Sequence, residues 1–292
     1  MGGLIFIPSK KEKLRKIMIN IEFTRKFAAE IRYQTIKEIV NLGFGHIGGA
    51  MSIIETLAVL YGGVMKIDPR NPDWGERDWL VCSKGHAGPA LYATLALKGY
   101  FPLEMLLTLN RGGTSLPSHC DRNKTPGIDM TTGSLGQGLS CGVGMAIGLK
   151  HLNMNSRVFV LVGDGELQEG QIWEAATSAV KYKLDNLIAI VDNNGIQNDG
   201  FTNDIMPVGD IKAKWEAFGW KVLECDGHDM RSILETFDEM KRYDGLPICI
   251  VANTVKGKGV SFMANVPAWH GIAPNKEEYA MALDEVKAGL TL

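Results

Sequence analysis

Two short polar stretches could share one ion. Asp164 lies in Gly163-Asp164-Gly165 and Asn194 in Asn193-Asn194, with residues 166–192 between them. A carboxylate and a primary amide are hard oxygen donors of the kind that Mg²⁺ and Ca²⁺ take. Mg²⁺ accepts few protein ligands, keeps some water and completes its shell with phosphate oxygens. The carbonyl of Ile196, just past Asn194, offers a third oxygen. Gly163 and Gly165 let the backbone turn sharply and let a phosphate come close. Either stretch alone is an ordinary turn. Together, each behind an apolar run, they form a pattern.

The elements that would position this pair are legible. Residues 158–162 and 187–191 are β-branched apolar runs, short enough for buried strands. A helical pattern spans 170–182. Strand, acidic turn, helix, strand and polar turn make a βαβ unit, whose strands are parallel. Asp164 and Asn194 then sit past two carboxyl ends, where open α/β sheets bind ligands.

The rest of the chain repeats this alternation. Helices are expected over 10–42, 52–65, 136–152, 211–218, 230–243 and 275–288, and strands over 79–82, 221–225 and 247–255. The fold class is α/β: three layers, a parallel sheet with helices on both faces. The chain reads as one domain over 1–292, with 1–24 as a helical arm. Residues 43–49 hold a formal GxGxxG (Gly43, Gly45, Gly48), but a helix precedes it where a dinucleotide site needs a strand. That stretch exposes His46 on a glycine-rich loop instead. His86 stands at a strand-to-helix junction, a natural anion site. The long stretch 112–138 has few regular periods, as functional loops do, and contains His119. Residues 201–210 read as a surface loop. Gly138, Gly142, Gly144 and Gly148 read as close helix packing. His151 and His228 read as structural or simply exposed.

Composition narrows the function classes. A net charge of −2 offers no basic face for nucleic acid or an acidic membrane. No apolar run is long enough to span a bilayer. The start, MGGLIFIPSKKEKLRK, has its apolar residues before its charges, the reverse of a secretory signal. The cysteines (Cys82, Cys120, Cys141, Cys225, Cys249) are scattered without a CxxC, which suits a reducing, cytoplasmic setting and buried, inert thiols.

GDGELQEGQIWEA and YKLDNLIAIVDNN resemble the thiamine diphosphate signature in its transketolase form. The likeness runs from about residue 25 to about 275, and covers the amino-terminal half of a usual transketolase. It implies thiamine diphosphate and Mg²⁺ as cofactors, with Ca²⁺ or Mn²⁺ as substitutes. It implies metal ligation by Asp164, Asn194 and Ile196, and cofactor contacts from His86, Gly133, Ser134, Leu135, Gly165, Glu169, Asn194, Lys256 and His270. His46, His86, His119 and His270 would move protons on sugar hydroxyls, work that suits imidazole. Ile47 and Ser134 stand where prolines occur in some members. Glu169 and Glu174 resemble interface carboxylates of the family, or are a solvated helix start. The activating glutamate and most sugar-phosphate arginines of the family belong to a second, pyrimidine-binding domain. The resemblance therefore implies a split enzyme: a separate carboxyl-terminal subunit, an α2β2 assembly, and ketol transfer between sugar phosphates in pentose phosphate metabolism. Related readings are a sulfosugar or branched-sugar transketolase, a deoxyxylulose phosphate synthase (which LQEG and WHG disfavour), and a non-catalytic module of the same fold.

Overall fold

A five-stranded parallel sheet carries the fold in the computed structural model, which describes residues 10–198 and 200–290. Its strands are β1 (Trp79–Cys82), β2 (Val158–Gly163), β3 (Leu187–Asn193), β6 (Lys221–Asp226) and β7 (Ile248–Asn253), in the spatial order β1-β2-β3-β7-β6. β4 (Ile196–Gln197) and β5 (Gly200–Phe201) form a separate antiparallel pair. Gly163 of β2 lies level with Asp192 of β3, and Asn193 with Asn253 of β7. The register therefore brings the carboxyl ends to one edge.

Side-chain alternation divides the core between the two sheet faces. Phe159, Leu161, Ile188 and Ile190 face α1 (Lys10–Leu42), α2 (Ile47–Met51), α3 (Ile54–Val59), α4 (Gly88–Lys98), α9 (Met230–Met240) and α10 (Lys276–Leu290). Val158, Val160, Val162, Ala189 and Val191 face α5 (Gln137–His151), α6 (Gly170–Lys181) and α8 (Ile211–Ala217). After β1 the chain passes to α4 on one face, and after β2 to α6 on the other. That divergence opens a crevice at the carboxyl ends. The expected three layers are present. Asp210 and Asp229 cap α8 and α9, each accepting a backbone N–H of the first turn.

Several local expectations needed correction. Residues 47–51 are helical, not loop, because all five side chains or glycines of α2 are buried and pack as a turn. The helix expected over 52–65 splits into α3 and a wider turn at Leu60–Val64, which contains two glycines. Within 201–210 a turn of helix, α7 (Thr202–Ile205), follows β5. The left-handed φ of +72° at Gly195 lets the chain fold back there, with Thr202 N–H on the Gly195 carbonyl at 2.9 Å. α1 buries Ile31, Ile36 and Ile39 as its periodicity predicts. It also buries Glu38, neither of whose oxygens has a hydrogen-bond partner among the described residues, and burial raises that pKa well above the usual range. The expected arm over 1–24 falls partly outside the described residues. From Lys10 the chain is one helix with the residues that follow.

The glycines of α5 divide two and two. A Cβ at Gly138 would overlap Ser83 and one at Gly142 would overlap Val160, whereas Gly144 and Gly148 face open space. The packing expectation holds only for the first pair. Gly142→Ala should therefore lose about 1–3 kcal/mol through overpacking. Gly148→Ala should be neutral or gain up to about 1 kcal/mol. Parallel denaturant melts of the two variants check this, and equal losses would contradict it.

Candidate active site

A cavity of about 350 Å³ opens at the carboxyl edge of β1, β2, β3 and β7. His46, His86, His119, Gly133, Leu135, Asp164, Gly165, Glu169, Asn194, Ile196, Lys256 and His270 all line it. These positions span most of the chain, and the sheet brings them together. Ser134 lies on the same turn but is exposed and does not line the cavity. Glu174 is exposed on α6, and Glu169 is exposed at the cavity rim. His151 is exposed, and His228 is mostly covered and lies away from the cavity. A larger groove of about 690 Å³ runs between α1 and the start of α9; of these residues it holds only His228, beside Arg32 and Glu55. Among the described residues no helix is long and apolar enough to cross a membrane.

The histidines form one cluster. Ring centroids are 5.3 Å apart for His46 and His86, 5.2 Å for His46 and His270, 5.9 Å for His46 and His119, and 5.5 Å for His86 and His270. Burial, followed by the cations around them, lowers the pKa of His46 and of His86, and takes His270 to about 3. Those three rings are neutral near pH 7 and can accept protons. Lys256 Nζ donates to the Ile196 carbonyl at 3.1 Å and lies 2.7 Å from His270 Nδ1. With the lysine charged, Nδ1 accepts, and the ring proton of His270 sits on Nε2. Burial and neighbouring Lys84 lower Lys256 to about 8, against the pull of Asp164 and Asp192.

Asp164 is 2% exposed. It accepts backbone N–H groups from Gly165 at 2.7 Å and Gly195 at 2.5 Å, and has no ion pair among the described residues. Burial, then repulsion from Asp192, raises its pKa to about 6. A cation beside it would relieve both effects. Asn194 donates its amide N–H to Asp192 at 2.8 Å, which fixes its Oδ1 as the acceptor side. No group of three or more His, Cys, Asp or Glu side chains suited to a metal occurs among the described residues. A carboxylate, an amide and a carbonyl are a different donor set, of the oxygen-only kind that suits Mg²⁺.

Sequence reasoning missed the groups beneath this surface. Lys84 is buried, pairs with Asp192, and donates to the Gly49 carbonyl at 3.0 Å. Asp192 is a hub that also accepts from Ser52 at 2.7 Å and Thr254 at 2.5 Å. Burial alone would raise Asp192, but Lys84 and these hydrogen bonds outweigh it and hold the carboxyl below its ordinary range. Glu166 is buried too. It accepts the Ser83 hydroxyl, Gly136 N–H at 2.8 Å and Gly163 N–H at 3.0 Å, tying the turn before α5 to the one after β2. The available signal was position: Lys84 and Asp192 each end or follow a strand at the same edge as Asp164.

Residues 23–289 match the model of the transketolase thiamine diphosphate-binding domain. The chain belongs to the transketolase family. It is 53% identical over 257 residues to the 6-deoxy-6-sulfo-D-fructose transketolase subunit of Clostridium sp. (strain MSTE9), covering 88% of this chain and 94% of that one. It is 44% identical over 243 residues to an apulose-4-phosphate transketolase subunit from Actinobacillus succinogenes, covering 83% and 88%. Transketolase from Leishmania mexicana superposes with a TM-score of 0.85 at 31% identity, over 92% of this chain. The chain spans 44% of that transketolase's length. The parallel α/β fold is the one the resemblance implied.

Neutral, partly buried histidines that would charge on unfolding set a pH dependence. An ordinary His near pKa 6.5 binds its proton in the unfolded chain, whereas His270 binds it only near 3. Between about pH 6.5 and about 3 the unfolded chain holds more protons, so stability rises with pH across that window. Denaturation midpoints should fall from pH 7.5 to pH 5, and His270→Asn should make that fall shallower. An unchanged slope would contradict the partly buried, neutral state of His270.

Proposed function

We propose that this chain is the thiamine diphosphate-holding subunit of a two-chain transketolase. The enzyme would move a two-carbon ketol unit from an anionic ketose to an aldose. The observation that supports the site assignment most is the pairing of a buried Asp164, without an ion pair among the described residues, and Asn194 in one cavity with Lys256. Asp164, Asn194 and the Ile196 carbonyl would hold Mg²⁺, or Ca²⁺ or Mn²⁺, against the diphosphate. Lys256 and Gly165 would face the diphosphate, the backbone of Gly133 and Leu135 would contact the cofactor, and Glu169 would stand at the rim. Thiamine diphosphate, when bound, supplies the carbanion that makes the bond beside a ketose carbonyl breakable.

The chain's own residues would then handle protons. His46, His86 and His270 have lowered pKa values and so stay neutral, each with a ring nitrogen free to accept a hydrogen bond from a sugar hydroxyl and to relay its proton. His119 completes the ring around the substrate. The whole chain would act as one domain.

Two features support a partner chain. Relatives of matching length carry the word subunit in their names, and longer transketolases extend well beyond this chain. Leu135 is exposed at the cavity, and exposed Phe44 and Ile272 lie two residues from His46 and His270. A carboxyl-terminal, pyrimidine-binding chain would cover this surface in an α2β2 assembly. The two relatives named above carry a sulfonated and a phosphorylated ketose in their names, which favours a donor with an anionic far end.

Titration of thiamine diphosphate into the assembled enzyme tests the reading. Chelation of divalent metal should abolish saturation, and Asp164→Ala should weaken binding by about a hundredfold or more, since a charge pair at about 4 Å is worth roughly 4 kcal/mol at an effective dielectric near 20. Unchanged affinity in either case would refute the metal assignment. Sulfonated and phosphorylated ketoses assayed side by side identify the donor, and full turnover by the isolated chain would refute the split enzyme.

A further inference from the structure

The loop after β7 carries Lys256 and is fastened on both sides by a buried network that lines no part of the site cavity. Val255 N–H donates to His228 Nε2 at 2.7 Å. Arg32 Nε donates to the Lys258 carbonyl at 3.1 Å. Glu55 joins the two, with Oε1 on Arg32 Nη2 and Oε2 at 3.0 Å from His228 Nδ1. A backbone amide can only donate, so Nε2 of His228 is bare and Nδ1 carries the proton toward Glu55. Burial works against the charge of Glu55, but Arg32 and His228 outweigh it and take its pKa to about 2. The side chains of Arg32, Glu55 and His228 are about a tenth exposed, at the wall of the groove between α1 and α9.

The backbone confirms how closely the loop rests on this network. Gly259 has φ +95°, and a Cβ there would overlap the Arg32 side chain. On the other side Gly257 N–H donates to the Gly48 carbonyl at 3.1 Å, beside α2. Between these fastenings Lys256 points into the cavity. A buried donor stripped of its acceptor costs more than the bond itself is worth, so each link matters.

We infer that Arg32, Glu55 and His228 are positioning residues for Lys256, holding residues 255–258 so that the ammonium faces the anion-binding cavity. The anion is the diphosphate of the proposed function, and the inference rests on that reading for its consequence, though not for the fastening itself.

The test separates the two nitrogens of His228. His228→Gln sets an amide oxygen where Nε2 accepted. His228→Asn sets an amide nitrogen where Nδ1 donated and leaves Val255 N–H without an acceptor. Hydrogen exchange of the full chain and thiamine diphosphate affinity of the assembled enzyme are both read. His228→Asn should speed exchange of the 254–260 peptide about tenfold or more, leave β2 peptides unchanged, and weaken affinity about tenfold. His228→Gln should stay within about threefold of wild type on both. Should the Asn variant not fold, Arg32→Lys, which keeps the charge beside Glu55 but loses the donor to Lys258, should loosen the same peptide. Equal exchange in the Asn and Gln variants, a uniform rise over all peptides, or loosening without loss of affinity would overturn the inference. A wild-type enzyme that fails to bind thiamine diphosphate would instead count against the proposed function, leaving the exchange comparison to decide the fastening.

Discussion

Carboxylates buried at the edge of a parallel sheet must be matched by cations or hydrogen-bond donors, and that constraint organises this molecule. The register sets Gly163 beside Asp192, so Asp164 and Asp192 come off neighbouring strand ends into one poorly hydrated volume. Lys84 neutralises Asp192. Asp164 accepts backbone N–H groups but has no ion pair among the described residues, and burial, then repulsion from Asp192, raises its pKa to about 6. Breaking a buried ion pair is far costlier than never having built one. The Lys84–Asp192 pair is therefore a fixed part of the scaffold, and the unmatched carboxylate is the position where the scaffold can gain most from a bound cation.

The histidine cluster follows from the same volume. Cations on two sides and low hydration keep His86 and His270 from charging. Rings packed 5–6 Å apart would repel if protonated, so the cluster stays neutral and offers hydrogen-bonding nitrogens instead of fixed charge. Exposed apolar residues nearby leave its outer side suited to a protein surface more than to water.

Much of this was legible in the sequence, for physical reasons that can be named. Buried parallel strands are continuous β-branched runs, so β2 and β3 stood out. Turn chemistry at their ends marked Asp164 and Asn194. Histidines beside glycines marked the cavity lining. The supporting charges were not legible. Nothing in SKGHA singles out Lys84, because its burial depends on Asp192, over a hundred positions away. Asp192 reads as the first residue of a polar turn, yet it belongs to β3 and faces inward. In GELQEG the glutamates that drew attention, Glu169 and Glu174, are exposed, while Glu166 carries the hydrogen bonds. Glycine content misled at 47–51, where burial makes a helix, and at Gly144 and Gly148, which pack against nothing. Long-range pairing decides all of these, and local pattern does not contain it.

The most direct test of the central claim is anomalous diffraction from crystals of the assembled enzyme grown with Mn²⁺ and thiamine diphosphate. The account predicts one strong peak at about 2.0–2.3 Å from an Asp164 carboxylate oxygen, Asn194 Oδ1 and the Ile196 carbonyl, the range expected of hard cations on oxygen. Thiamine diphosphate bound with no peak between those oxygens, or with the metal held elsewhere, would contradict it.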